Sequence, residues 1–390
     1  MKLNHKVFPF LRREAAHLWN ATVKNYYKAL DQGKYISCFE MQKIVNSKHI
    51  HTHSADAIVE QFYDNCKAAK ELKKTDPTAR YPYKTKKFST LTWKSTAIRL
   101  SKNGSLVLPN GRKTEDVVIP NWKHKLPVLV KLCWDEKTLE YELVFVFSDG
   151  KGDVPEFQET DEAKIVAVDI GQIHVMATSD GETYNGKLLR STRQWKDSKQ
   201  ANFVSLIDVK KKGSNRRKKL VQKKRKFLSK VENVSHDILH KLTTRLVASS
   251  VSLGKTTMVV GDLSGYRLNN DQGKARNQEN HSWVYGKITW MLRYKCQAAG
   301  IQFVLVDEAY TSKTCLSCGQ ITAADGRSHK CSCGAKTHRD ILGACNIKRK
   351  YLGTFGIPSS CGMAPAFHVG VKYYPHMKCY TSFQRCRFWV

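Results

Sequence analysis

Three acidic residues in distant parts of this 390-residue chain lie where a strand ends or a helix begins. Asp169 closes the apolar run IVAVD, Glu308 follows the apolar run FVLVD, and Asp340 opens the helical stretch RDILGACNI. Carboxylates are preferred protein ligands of hard divalent cations such as Mg²⁺. Two such ions about 3.5–4 Å apart can align a water and a leaving oxygen for phosphodiester hydrolysis. The pattern therefore predicts a divalent-metal site made by these three side chains.

A second metal-binding pattern lies between Glu308 and Asp340. Four cysteines form two short chelating pairs: Cys315, Cys318, Cys331 and Cys333. The spacer between the pairs is long enough for them to meet around one tetrahedral zinc ion, with His329 or His338 as alternative ligands for one position. Four thiolates leave no open coordination position, so we expect one Zn²⁺ with a structural role. The other cysteines are scattered, which favours reduced thiols in an intracellular protein.

The chain is strongly basic, with 66 Lys and Arg against 34 Asp and Glu and a net charge of +32. Nucleic acid is the polyanion that such a charge favours, although a solvated basic surface is the alternative. The run at 210–230 supplies most of our candidates for nucleic-acid contact: Lys210, Lys211, Lys212, Arg216, Arg217, Lys218, Lys219, Lys223, Lys224 and Arg225. Arg339, beside Asp340, is a further candidate for holding a strand.

Membrane association is not expected. No apolar run approaches the roughly 20 residues that a spanning helix needs. The segment MKLNHKVFPF also lacks the apolar centre of a signal peptide. We expect a protein of the bacterial cytoplasm, acting at the nucleoid. In a eukaryotic host the run KKKGSNRRKK would instead serve nuclear import.

Local patterns divide the chain into helical, β-rich and mixed parts. Residues 8–75 have helical periodicity, with one apolar face. That face consists of Leu11, Ala15, Trp19, Val23, Tyr26 and Leu30. In 91–147 the Asn103-Gly104 pair predicts a hairpin, and 128–134 with 141–147 predicts a second antiparallel pair. Gly150–Pro155 is typical of a linker.

From Ala163 onward strands alternate with helices. Residues 257–262 and 301–306 are predicted strands, and 283–299 is a predicted helix that ends at Gly300. The helix after the basic run has one apolar stripe, formed by Val231, Val234, Ile238, Leu242 and Leu246. The segment after Gly353 has no period, and we expect a mobile or partner-ordered tail.

The order of these motifs resembles a known family. A zinc module between the second and third carboxylates, Asp169 on the first strand, and RD-x-x-GA-x-NI around Asp340 are similar to TnpB. TnpB (OrfB) proteins are transposon-encoded RNA-guided nucleases related to Fanzor proteins and type V CRISPR effectors. The resemblance is strong over about 160–350 and weaker over 80–150, where PYKTKKFSTLTWK looks like the family's wedge domain.

The resemblance implies an α/β fold in which a RuvC (RNase H-like) nuclease domain carries an inserted zinc finger. An N-terminal helical recognition region and a β-barrel-like wedge domain would precede it. The implied boundaries are 1–80 for the recognition region with the first part of the wedge, 81–155 for the wedge, 156–310 for the first part of the nuclease domain, 311–337 for the zinc finger, 338–352 for the last nuclease helix, and 353–390 for the tail.

The resemblance also implies a metal-dependent DNA endonuclease that uses a structured guide RNA from the transposon end. Its target would be double-stranded DNA with a short flanking motif, and a monomer is favoured. Asp169, Glu308 and Asp340 would hold two Mg²⁺ (or Mn²⁺) ions. Two alternatives stay open: a nuclease-dead RNA-guided DNA-binding protein that acts as a repressor, and a guide-independent DDE-type transposase.

One position departs from the family pattern. Most TnpB proteins carry the catalytic glutamate in a motif like VVEDL, whereas this chain has MVVGDL, with Gly261 in that place. Most relatives have VDPRYTS where this chain has VDEAYTS, which adds Glu308. A Fanzor-linked branch of the family has its glutamate relocated in this way. Asp262 is a second candidate, although a shift of one residue along a strand turns a side chain to the other face. Loss of activity is the third interpretation.

Overall fold

The computed structural model describes residues 5–135, 139–148, 150, 152, 154–263, 273–322, 326–357 and 372–374. The chain folds as two compact units that divide after Gly150, within the predicted linker. The remainder of the predicted tail, at 358–371 and 375–390, lies outside the described residues. None of the helices in the described ranges is long and apolar enough to cross a membrane.

The first unit contains three helices followed by short antiparallel sheets. The helices are α1 (Phe8–Asp31), α2 (Cys38–Ile44) and α3 (Thr52–Leu72). The strands are β1 (Leu91–Lys94), β2 (Arg99–Leu100), β3 (Leu106–Leu108), β4 (Val117–Ile119), β5 (Leu129–Asp135) and β6 (Glu140–Val146). They form two three-stranded sheets, with orders β1-β5-β6 and β2-β3-β4, and not one closed barrel within the described residues.

Local signals in this unit are confirmed with one exception. The β2–β3 hairpin turns at Gly104, whose φ of 73° is the left-handed conformation that glycine adopts without strain. The predicted pair of strands is β5 and β6, paired antiparallel from Leu129↔Val146 onward. Five of the six predicted positions on α1 are buried. The prediction is wrong for Leu30, which lies in the last turn of the helix and is 42% exposed.

The second unit is built on a six-stranded mixed sheet in the order β11-β10-β7-β8-β9-β14. Its strands are β7 (Ile165–Asp169), β8 (His174–Thr178), β9 (Glu182–Asn185), β10 (Thr257–Asp262), β11 (Gln302–Asp307) and β14 (Lys372–Tyr374). β7, β10 and β11 run parallel, whereas β8 is antiparallel to both β7 and β9. The parallel order brings the carboxyl ends of β7, β10 and β11 to one edge of the sheet.

Helices cover both faces of this sheet. They are α4 (Lys187–Asp208), α5 (Asn215–Ser252), α6 (Lys274–Ser282), α7 (Tyr285–Ala299) and α8 (Arg339–Tyr351). One apolar layer joins α5 and α7 to Val166, Val168, Met258 and Val260. A second layer joins Ile347 of α8 to Ile165, Ala167 and Val259. Alternate residues of each strand therefore face α7 and α8, as the two-residue period of a strand requires.

Of the two helices predicted in this part of the chain, one ends where expected and the other has a different buried face. The helix α7 ends at Gly300 in the left-handed conformation, as expected. The stripe on α5 is shifted, because Val231 and Leu246 are buried whereas Val234, Ile238 and Leu242 are half-buried. Leu239 and Val247 complete the buried face. The preceding helix α4 was not predicted, and only three of its residues are buried.

Candidate active site

Strand pairing brings Asp169, Gly261 and Glu308 to the same edge of the sheet. Val168 of β7 pairs with Val260 of β10, so the next residues, Asp169 and Gly261, are neighbours. Gly261 in turn pairs with Val306 of β11, two residues before Glu308. The sequence placed these residues at strand ends, but only the register of the parallel strands places them side by side.

The side chain of Glu308 lies in front of Gly261. A Cβ atom added at Gly261 would be 2.5 Å from Glu308 Oε2 and 3.2 Å from Glu308 Cβ. The first separation is too short for non-bonded atoms and the second is tight, so glycine at 261 makes room for the Glu308 side chain in this position. The two changes from the usual family pattern, the loss at 261 and the gain at 308, are therefore spatially complementary.

The alternation of side chains separates Asp262 from this group. Gly261 follows Val259 by two residues, and Asp169 follows Ala167 by two residues, so both belong to the face covered by α8. Asp262 follows Val260 by two residues and belongs to the opposite face, where Met258 and Val260 pack. Of the two candidates for the third carboxylate, Glu308 and not Asp262 lies on the same face as Asp169.

Helix α8 approaches the sheet on that face. Asp340 lies in its first turn, and Gly343 lies one turn later. A Cβ atom at Gly343 would be 2.7 Å from Asp169 Oδ2. The glycine of the GA-x-NI motif therefore allows the Asp169 carboxylate to pack directly against the helix.

The three carboxylates share one edge but are not gathered into one tight group. Among the described residues, Asp340 belongs to one group whose ligand atoms all lie within 4.8 Å of one another. The other members of that group are His174 and His338, and not Asp169 or Glu308. Asp340 Oδ2 lies 2.8 Å from His174 Nδ1 and accepts a hydrogen bond of 2.8 Å from Arg327. The positive charge of Arg327 thus neutralises Asp340, whereas the strongest charge effects on Asp169 come from the other two carboxylates.

The ionisation of these groups reflects that difference. Burial, and then the nearby charges of Glu308 and Asp340, raise the pKa of Asp169 to about 8. Burial, and then the charges of Asp307 and Asp262, raise the pKa of Glu308 to about 7. Burial opposes the charged form of Asp340, but the hydrogen bond with His174 and the charge of Arg327 outweigh it and lower its pKa.

A divalent cation fits this donor set. Glu308 Oε2 is buried and has no hydrogen-bond partner among the described residues. An unpaired buried carboxylate oxygen beside a second carboxylate is costly unless the group takes up a proton or a cation. Oxygen-only ligands on rigid strand ends and a helix terminus are the chemistry that Mg²⁺ and Mn²⁺ prefer.

We expect Asp169→Asn to stabilise the folded protein in Mg²⁺-free buffer, and more so at high pH. The folded-state pKa of about 8 exceeds the ordinary 3.8, so the folded chain holds a proton that the unfolded chain releases. The stability contributed by that proton is lost as pH rises through about 8, and asparagine cannot lose it. Urea unfolding of zinc-loaded protein at pH 5 and pH 8 measures the effect. Equal pH dependence of both proteins would contradict the assignment, and Mg²⁺ should reverse their order by binding the wild type.

The four cysteines form a compact cluster. Their Sγ atoms all lie within 4.8 Å of one another, with Cys315 and Cys333 3.7 Å apart and Cys318 and Cys331 3.4 Å apart. This donor set could hold a zinc ion. The module also contains β12 (Ser328–Lys330) and β13 (Lys336–His338), and Gly319 and Gly334 have positive φ in its turns.

Neither alternative histidine ligand belongs to the cysteine cluster. His329 Nε2 lies 2.7 Å from Thr322 Oγ1. His338 is the residue just before α8 and belongs instead to the group with His174 and Asp340. The four-thiolate set predicted from the spacing is therefore the one that the fold brings together.

The basic run lies on the turn and first half of α5, and its side chains differ in role. Seven of the ten candidates are exposed: Lys211, Lys212, Arg216, Lys218, Lys219, Lys223 and Arg225. Lys210 and Lys224 are half-buried. Arg217 donates to Ile207 O at 2.8 Å and so binds a carbonyl at the end of α4. Arg217 therefore holds the α4–α5 turn, a role that the sequence alone did not separate from nucleic-acid contact.

Arg339 is exposed at the start of α8. It lies near the carboxylates, since its positive charge partly opposes the burial that raises the pKa of Asp169. Several other residues near the site were not predicted. Asn346 donates to Thr311 O and Thr314 O, both at 2.7 Å, and ties α8 to the start of the zinc module. The only sequence signal for Asn346 was its place in the GA-x-NI motif.

Two family models match separate parts of this chain. Residues 153–267 match the model described as "Probable transposase" (OrfB_IS605), and residues 285–347 match "Cas12f1-like, TNB domain". The resemblance to the TnpB family is confirmed. The first match contains Asp169 and Gly261. The second contains Glu308, the four cysteines and Asp340.

Individual relatives agree with this. A putative RNA-guided DNA endonuclease of Streptomyces pristinaespiralis is 30% identical over 202 residues, which is 50% of this chain and 46% of the relative. The CRISPR-associated endodeoxyribonuclease Cas12f1 of Sulfoacidibacillus thermotolerans is 28% identical over 139 residues, 35% of this chain and 32% of the relative. The chain thus spans less than half of the length of these two relatives.

The fold is similar to that in the cryo-EM structure of a Cas12f1–sgRNA–target DNA complex, with a TM-score of 0.59 and 13% identity. This similarity covers 88% of this chain and 82% of the other. The mixed α/β architecture is therefore shared with that Cas12f1 chain.

Proposed function

We propose that this chain is an RNA-guided DNA endonuclease whose RuvC-like site uses Asp169, Glu308 and Asp340. The observation that carries the proposal is the Glu308 carboxylate in front of Gly261, on the sheet face shared by Asp169 and α8. A chain that had lost cleavage would need neither a glycine that makes room at 261 nor an acidic side chain that fills it.

The residues have separate parts in this proposal. Asp169, fixed at the end of β7 and against Gly343, would supply one carboxylate to the metal ions. Glu308 supplies the buried oxygen that lacks a hydrogen-bond partner in the described part of the chain. Asp340 would become a third ligand when its contacts with Arg327 and His174 are broken. Mg²⁺ or Mn²⁺ bound there would supply activation of water and stabilisation of the leaving oxyanion.

The cysteine module and the basic surface complete the proposed machinery. Zinc held by the four thiolates would fix the segment between β11 and α8, and thereby the relative positions of Glu308 and Asp340. The exposed lysines and arginines of α5, together with Arg339, would contact phosphates of the guide RNA or heteroduplex. The guide RNA would read the target by base pairing, while the protein recognises a short flanking motif in double-stranded DNA.

Sequencing of the RNA that survives purification, followed by cleavage assays with matched and mismatched targets in Mg²⁺, tests the function. A defined RNA and guide-dependent cutting are expected. Guide-dependent binding without cutting would identify a repressor-like protein, and cutting or joining without RNA would identify a transposase. Either result would overturn the proposal.

We expect the exposed part of the basic run to determine the salt dependence of RNA binding. Replacing Arg216, Lys218, Lys219 and Lys223 with Gln should weaken binding to all sequences. It should also reduce the slope of log affinity against log salt by about 0.7–0.9 for each phosphate that the protein no longer neutralises. Arg217 is kept because it holds the α4–α5 turn. The preferred flanking motif should not change, since phosphate contacts position without specifying.

The matched control replaces four exposed basic residues of the first unit with Gln: Lys102, Arg112, Lys113 and Lys123. Both variants have the same net charge, so a general field effect would change both slopes equally. Titration of RNA at several salt concentrations decides. Equal slopes for the wild type and the α5 variant would mean that the run is only a solvated surface.

A further inference from the structure

A second group of metal-ligating side chains lies beside the carboxylates. His174 is the first residue of β8, His338 directly precedes α8, and Asp340 lies in the first turn of α8. One ligand atom from each residue lies within 4.8 Å of the other two. The imidazole rings of the two histidines have centroids 5.2 Å apart. Residues separated by more than 160 positions in the sequence thus converge on one point.

A cation could replace two contacts of Asp340 in this group: the hydrogen bond with His174 and the ion pair with Arg327. His174 Nδ1 and Asp340 Oδ2 are 2.8 Å apart, so one hydrogen lies between them in the metal-free protein. Arg327 also contacts Asp340, but its side chain is 44% exposed and can turn into solvent. His338 Nδ1 is buried without a hydrogen-bond partner among the residues that the structure describes.

We propose that His174, His338 and Asp340 form a transition-metal site that competes with the Mg²⁺ site for Asp340. Two imidazoles and one carboxylate suit Zn²⁺, Co²⁺ or Ni²⁺, whereas Mg²⁺ prefers oxygen ligands. Ligand atoms around such an ion lie about 2.0–2.2 Å from it, which small rotations of these side chains would achieve. The ion replaces the hydrogen between His174 and Asp340 and displaces Arg327.

Occupancy of this site would inhibit the nuclease, because Asp340 cannot then turn toward Asp169 and Glu308. This consequence rests on the proposed function, whereas binding of the ion does not. Asp340 would therefore have two metal partners, and the identity of the available divalent ion would decide between an active and an inactive arrangement.

Binding is tested with Co²⁺ added to protein whose cysteine cluster already holds zinc. We expect one Co²⁺ per chain with visible d–d bands and without a thiolate charge-transfer band. His174→Gln and His338→Gln should each weaken this binding by at least about tenfold, since even indirect supports of a metal site contribute that much. Zinc content and melting temperature establish whether each variant is folded. One folded variant is enough to test Co²⁺ binding.

A competing pair supplies the control. His236 and His240 lie one turn apart on α5, with ring centroids 4.6 Å apart, and such pairs also bind these ions. His236→Gln should leave the Co²⁺ spectrum unchanged. Loss of the spectrum in His236→Gln, or its persistence at full affinity in folded His174→Gln, would overturn the proposed site.

Cleavage assays test the inhibition separately. In excess Mg²⁺, added Co²⁺ or Zn²⁺ should inhibit the wild type, and each variant is compared with its own activity in Mg²⁺ alone. The inhibitory concentration should rise at least about tenfold in His174→Gln. An unchanged inhibitory concentration would overturn the competition. Co²⁺ binding in a wild type that cleaves nothing in Mg²⁺ would sustain the site and refute the proposed function.

Discussion

Glu308→Ala should lower the rate of DNA cleavage by about 10³-fold or more, while guide-dependent DNA binding remains nearly unchanged. The reason is the Glu308 carboxylate, which shares a face with Asp169 and has a buried oxygen without a partner among the described residues. A metal clamp contributes several kcal/mol of transition-state stabilisation, and each 1.36 kcal/mol is about tenfold in rate. Single-turnover cleavage and filter binding in Mg²⁺ measure the two effects. Normal cutting by this variant would remove Glu308 from the site.

Asp262→Ala is the matched control for an acidic residue at the same sheet edge. It should retain most activity, because alternation places Asp262 on the face of Met258 and Val260. If Asp262→Ala were inactive and Glu308→Ala fully active, Asp262 and not Glu308 would be the third carboxylate of the site.

Gly261 offers a steric test of the same idea. Gly261→Ala should lower cleavage, because its methyl group would lie 2.5 Å from Glu308 Oε2 and push the carboxylate away. The double variant Gly261→Glu with Glu308→Ala should recover part of the activity, since it restores the usual family arrangement. A double variant no better than Glu308→Ala would indicate that position 261 cannot direct a carboxylate to the metals.

Cys315→Ser should lose zinc and unfold the module between β11 and α8. Cys315 Sγ belongs to the four-thiolate cluster, and the binding energy of a structural zinc is largely folding energy. Loss of a structural metal belongs among the largest single-residue effects, more than about 4–5 kcal/mol. Metal analysis and thermal unfolding measure the outcome, and unchanged zinc content would contradict it.

The module's loss should also reduce cleavage, because Asn346 ties α8 to carbonyls just before the cysteines. Arg327, which contacts Asp340, lies in the same module. Cys133→Ser is the control, since Cys133 is half-buried on β5 in the other unit. It should keep both the zinc and the activity. Parallel loss of zinc in both variants would point to a general loss of folding.

The sequence alone determined features that depend on neighbours along the chain. The spacing of Cys315, Cys318, Cys331 and Cys333 defines two small chelate loops, and the structure gathers their sulfur atoms. The Asn103-Gly104 turn and the end of α7 at Gly300 were also predictable, because each requires a left-handed glycine at one position. These features are local, so few residues suffice to specify them.

Tertiary structure decided how the carboxylates relate to one another. Sequence reasoning left Glu308 and Asp262 as competing candidates, since Asp262 ends one strand and Glu308 follows another. The register of β7, β10 and β11 sets which residues are neighbours, and the face of each side chain follows from that register. A shift of one residue would exchange the faces.

The cationic surroundings of Asp340 had no sequence signal at all. His174 precedes Asp340 by 166 positions, and Arg327 lies on the other side of a cysteine pair. Their contacts depend on the packing of α8 on the sheet and on the folding of the zinc module. Residue types and spacing thus identified the carboxylates and cysteines as candidate metal ligands, but not His174. Only long-range packing decided which of them meet, because that depends on the register and burial of the whole sheet.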